Sequence, residues 1–212
     1  MRKWKKLLLP AMCAFMLQIP VIVNAEAVDS SNNVTSAVET PVATPTPALL
    51  DGIVKKGSRT YFYKNGVMQK NCWSPDKKQY FGKNGVAYAA PKVSGCKKNI
   101  VVKKIGKKYY GFDRNGFKVK KGVYADAKGT PYYFDKKGVR VAKKSNQLKA
   151  ASKNKADGAV LRKLLGRPSK TKTLSSCNIG ISKDLKLTYA NIFVQLGKKT
   201  TGGEIVYGIQ AR

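Results

Sequence analysis

Tyr132-Tyr133-Phe134-Asp135-Lys136-Lys137-Gly138 is an aromatic triplet, a polar turn and a glycine. The pattern recurs at Tyr61-Phe62-Tyr63-Lys64-Asn65-Gly66, Tyr80-Phe81-Gly82-Lys83-Asn84-Gly85 and Tyr109-Tyr110-Gly111-Phe112-Asp113-Arg114-Asn115-Gly116. Internal repetition decides architecture before any other feature. Each run reads as a strand entering a turn. Three of the four turns end in Asn-Gly, the strongest short hairpin signal, because a type I′ turn needs positive φ at both central residues. The strands after the turns, Val67-Met68-Gln69-Lys70 and Val139-Arg140-Val141-Ala142-Lys143, alternate as half-buried strands do.

The turn glycines Gly66, Gly85, Gly116 and Gly138 are spaced by 19, 31 and 22 residues. The longer gap, with Pro91, Gly95 and Cys96, has room for a degenerate hairpin around Ser94-Gly95. One two-stranded hairpin is marginal in water. Stacked hairpins bury their aromatic faces on neighbours, as quasi-one-dimensional arrays do. The expected fold is mainly β: a stacked hairpin array over 51–145, then a small α+β module over 146–212.

Residues 1–25 read as a secretory signal peptide. Arg2, Lys3, Lys5 and Lys6 precede an apolar run to Val23, and Val23-Asn24-Ala25 is a small-residue cleavage site. Pro10, Gln18 and Pro20 interrupt the run and argue against the alternative, a retained anchor. Residues 26–50 hold no Lys or Arg and are rich in Ser, Thr, Val, Ala and Pro. That composition fits an extended, disordered linker.

From residue 51 onward, 38 Lys and Arg face eight Asp and Glu. Such a field draws polyanions. Export disfavours nucleic acid as the partner and favours teichoic acids, anionic lipid or acidic glycans. Cys72, Cys96 and Cys177 follow the leader, and an odd count leaves one thiol over. Cys72 and Cys96 lie in neighbouring units and form the candidate disulfide, although spacing does not fix connectivity.

The repeats resemble the cell-wall-binding repeat of secreted Gram-positive proteins, also called the choline-binding or glucan-binding repeat. The resemblance implies a surface protein attached non-covalently to wall polymer or polysaccharide. It makes Tyr61, Tyr63, Trp73, Tyr80, Tyr109, Tyr110, Tyr132 and Tyr133 the candidate ligand-binding residues. The chain departs from the choline-binding pattern, whose cage uses two Trp and one Tyr. Beyond the leader it holds Trp73 alone, with Val123-Tyr124 where a Gly-Trp would stand. Cation–π attraction is strongest on Trp, so choline is disfavoured. Sugars stacked on Tyr, or phosphates met by Lys, suit the array better. The same tyrosines also read as plain hairpin core, and both readings stand at this stage.

After Asn146 the pattern changes. Asp157 caps a short helix over Gly158–Leu165, stopped by Gly166 and Pro168. Strand-like runs follow at 173–181, 185–189, 191–196 and 204–210. This segment resembles the β-lactamase-inhibitor-like and outer-membrane-assembly lipoprotein modules, which implies a protein partner for 146–212. No His exists, and the eight acids suggest no catalytic pair. The expectation is a non-enzyme without cofactor or metal, secreted and associated with the cell wall. The alternatives are a C-terminal interaction or inhibitor module with the repeats as spacer, and binding to host glycan or membrane.

Overall fold

The computed structural model describes residues 49–212. The signal-peptide reading, and all but the last two residues of the linker, fall outside them. The chain is mainly β, as expected. Its first sheet has the order β1 (Gly52–Lys56), β2 (Arg59–Lys64), β3 (Val67–Met68). Three two-stranded hairpins follow: β4 (Cys72–Trp73) with β5 (Tyr80–Phe81), β6 (Val101–Ile105) with β7 (Lys108–Phe112), and β8 (Gly122–Ala125) with β9 (Pro131–Phe134). The gap at Ser94-Gly95 holds an antiparallel bridge between Val93 and Cys96.

Only Asn65-Gly66 has positive φ at both residues, 51° and 76°. The type I′ expectation fails at the other two Asn-Gly pairs. There the glycine is the fourth residue of a turn closed back on the first. Gly85 N–H donates to Gly82 at 2.9 Å, and Gly116 N–H to Asp113 at 3.1 Å. Gly138 N–H donates to Asp135 in the same way, also at 3.1 Å. A left-handed glycine at that place marks a bulged hairpin loop. Asp113 Oδ1 steadies its turn by accepting from the N–H groups of Asn115 and Phe117, at 2.9 and 2.8 Å. Asp126 does the same in a fifth turn that ends at Gly129.

A repeated bond stacks the units. The residue two after three of the turn glycines, Gly85, Gly116 and Gly138, donates its N–H to an earlier unit: Ala87 to Thr60, Lys118 to Lys78, Arg140 to Tyr109. After β3 the post-turn strands shrink to isolated bridges, at Val86 and Ala87, at Lys118, and at Val139 and Arg140. Ala142, expected in a strand, instead opens helix α1 (Ala142–Ala151).

Helix α2 (Gly158–Leu165) has the bounds expected, with Asp157 Oδ1 accepting from Ala159 N–H at 2.8 Å. The last sheet is antiparallel in the order β10 (Lys170–Ser175), β11 (Ile181–Thr188), β12 (Ile192–Lys199), β13 (Glu204–Ala211). The expected strand over 173–181 is two strands. Ser176 Oγ accepts from Asn178 N–H and Gly180 has φ +75°, so the chain turns between them. Arg162 binds Glu204 through two hydrogen bonds of 2.6 and 2.8 Å, pinning α2 to β13.

The array and the last sheet share a core. Cys96 and Ala125 pack with Leu148, Leu161, Leu187, Val194 and Val206. Helix α1 spans residues 145 and 146, and its buried Ser145 Oγ accepts from Tyr133 N–H at 3.0 Å. Cys72, Cys96 and Cys177 are all free thiols, so the Cys72–Cys96 bridge is not formed. Cys96 faces the shared core, while Cys72 sits in β4 opposite Phe81. Because Cys177 is the exposed thiol of the three, iodoacetamide should label it first in the native protein. Peptide mapping checks this, and Cys96 should react only after unfolding. Among the described residues no helix is long and apolar enough to cross a membrane.

Candidate functional site

After the first triplet, whose Phe62 is only partly buried, the aromatic runs divide their labour by residue type. Phe81, Phe112 and Phe134 are fully buried and form the spine of the array. All eight candidate ligand-binding aromatics are only partly buried or exposed. Trp73 is the hub of one group. Its ring centroid lies 5.2 Å from Tyr80 and 5.1 Å from Tyr110, both edge-on. Tyr80 stacks on Tyr88 at 5.5 Å. Tyr61 and Tyr63 pair at 6.5 Å. Tyr109, Tyr132 and Tyr133 stand away from the Trp73 group, and Tyr132 reaches Asp126. Burial raises the Tyr80 and Tyr132 hydroxyl pKa values, with help from Tyr88 and Asp126 respectively.

Several of these rings already face a cation of the chain. Lys118 Nζ lies 4.7 Å from the Trp73 centroid and 5.7 Å from that of Tyr110. Lys56 covers Tyr63 at 4.9 Å, Arg140 covers Tyr109 at 4.4 Å, and Lys144 covers Tyr133 at 3.9 Å. Lys103 covers Tyr88 at 5.4 Å. Acids are scarce: among the described residues, ion pairs occur at Lys78–Asp76 and Arg162–Glu204. Ring faces therefore serve as partners for cations that lack a carboxylate.

Two grooves cut the array. The first, 890 Å³, has cations Lys55, Arg59, Lys92 and Arg114 around an apolar floor of Ile53, Val86, Ala87, Ala89, Ala90 and Phe117. It gathers β1, β2, the strand remnant after Gly85, and the turn before Gly116. The second, 450 Å³, carries Lys97, Lys98, Arg114, Lys118 and Lys120, with Tyr124 and Asn191. Arg114 and Asn115 line both, so the grooves adjoin. Their single acid is Asp113, whose Oδ1 is held by two backbone N–H groups. None of the eight candidate aromatics lines either groove. The residues of the first groove are drawn from Ile53 to Phe117 and those of the second from Lys97 to Asn191, so no local motif marks them.

No family model and no curated protein matches the chain. Among solved structures it is similar to truncated alternansucrase from Leuconostoc mesenteroides, at 18% identity and a TM-score of 0.34. Alternansucrase in complex with isomaltononaose aligns at 17% and 0.21, and the isomaltotriose complex at 16% and 0.19. Each overlap covers 73% of this chain and 10% of the other, so the chain spans about a tenth of the length of those enzymes. Overlaps this loose define no shared site.

Proposed function

We propose that the repeat array is a non-catalytic attachment module that holds an anionic cell-wall polymer or glycan outside the cell. The observation that carries this reading is the lining of the two adjoining grooves. Eight Lys and Arg side chains stand there with one carboxylate, one oxygen of which accepts from two backbone N–H groups. A polyanion supplies the missing countercharge along its whole length, and the apolar floor of the first groove suits a sugar or polyol backbone. Lysine and arginine do the holding. Tyrosine and phenylalanine shape the scaffold on which they stand.

Co-sedimentation of the full chain with purified walls, with and without teichoic acid, tests the reading. Retention should depend on the teichoic acid. Raising salt from about 0.05 to 0.5 M shortens the screening length severalfold and should weaken retention at least about tenfold. The double variant Arg59→Glu/Lys92→Glu should weaken it by a similar factor at low salt. Retention indifferent to salt, to stripping and to charge reversal would refute the reading.

A further inference from the structure

The second groove exists only where the array meets the C-terminal sheet, because Asn191 closes one side of it. Two of its cations are fixed in place. Lys98 Nζ donates to the Ala190 carbonyl at 2.8 Å, and Arg114 Nη1 to the Cys96 carbonyl at 3.3 Å. Asn191 Nδ2 donates to Val123 at 3.3 Å. Asp113 is committed to its own turn. Like charges gathered this way repel, although Lys97, Lys98 and Lys120 are exposed and water screens them. Lys118 lines the same groove, but its ammonium rests against the Trp73 and Tyr110 rings. Burial, then Lys120 and Lys77, hold its pKa below that of an ordinary lysine. The ammonium is thus on a weak partner beside a hollow that wants negative charge.

We propose that this hollow is a phosphoryl-anion site, and that a bound phosphate group draws Lys118 off Trp73. The cations of the hollow come from two separate stretches of chain, 97–98 and 114–120. A tetrahedral phosphoryl group offers acceptors in several directions, whereas a carboxylate offers two in one plane. The volume, 450 Å³, leaves room for the substituents of a diester. The proposal rests on the polymer-binding reading and deepens it, naming a phosphoester as the group one groove takes. The source is either free phosphate or the diester of a polymer, and the shared chemistry is the oxyanion.

The chain has two tryptophans, so Trp4→Phe leaves Trp73 as the sole tryptophan. In that full-length protein, inorganic phosphate at constant ionic strength should change Trp73 emission saturably, while chloride should not. Lys98→Gln/Lys120→Gln should weaken the apparent affinity about tenfold, as expected for lost charge-assisted bonds. Lys118→Met should abolish the emission change and weaken calorimetric phosphate binding severalfold without abolishing it, because the other groove cations remain. A glycerophosphate diester in a parallel titration identifies the source: tighter binding than inorganic phosphate assigns the site to polymer, weaker binding to free phosphate. Identical emission in phosphate and chloride, with no calorimetric heat, overturns the site. If walls still retain the protein in that case, the polymer reading survives it. If phosphate binds and walls do not, the polymer reading fails and the site stands.

Discussion

Phe134→Ala should cost about 3–5 kcal/mol of unfolding free energy, the usual range for a buried phenylalanine cut to alanine. Phe134 is fully buried and packs with Ile100 and Val119. Tyr124 meets its ring edge-on at 6.0 Å. No neighbouring chain segment is placed to fill the void, because the hairpins are held in position by the bonds between units. Urea unfolding followed by circular dichroism measures the loss, and the melting temperature should fall by about 10 °C. Tyr109→Ala should cost less than about 1 kcal/mol. Its ring is 38% exposed and its partner is Arg140 at 4.4 Å. Equal losses in the two variants would mean that tyrosines and phenylalanines share the core.

Gly129→Ala should cost about 2–4 kcal/mol. Gly129 has φ +81°, where alanine is strained by about 1 kcal/mol. Its added Cβ would fall on the backbone carbonyl oxygen of Ile209, inside contact distance. A backbone atom of β13 cannot swing aside as a side chain would, and overpacking of this kind costs about 1–3 kcal/mol. Gly57→Ala is the control. Its φ is +58°, but nothing lies within 4 Å of a Cβ there. It should show the strain alone. Thermal unfolding separates the two, and hydrogen exchange in β13 should quicken in Gly129→Ala. Equal melting temperatures for the pair would refute a close seam between the β8–β9 turn and β13.

The sequence was most legible where a local rule acts alone. Asp157 as cap and Gly166-x-Pro168 as stop delimited α2 correctly, because each acts on backbone groups within one turn. Helix α1 was illegible for the converse reason. Val141 gives it no side-chain cap, and what holds it is distant: Leu148 in the shared core and Ser145 on β9. The Asn-Gly pairs announced turns but not their kind. At Asn115-Gly116 the carboxylate of Asp113 claims the backbone and chooses a different turn. Strand periodicity marked the aromatic runs, but Tyr and Phe look alike to it. Which of them enters the spine is set by packing between units. The grooves were least legible of all. Lys55, Lys92 and Lys120 read along the chain as scattered solvated charges, and only stacking brings them to adjoining walls.

The cations tethered over Tyr63, Tyr88, Tyr109 and Tyr133 have a consequence for what the array turns away. A free cation approaching these rings meets two separate barriers. One is the long-range potential of the whole surface, which salt collapses. The other is occupancy: the ring face is already taken by a residue that cannot diffuse off, and salt does little to a contact of that kind. Discrimination by sign of charge thus has a reversible part and a built-in part. In brine the array would let go of its polyanion without becoming a trap for quaternary amines.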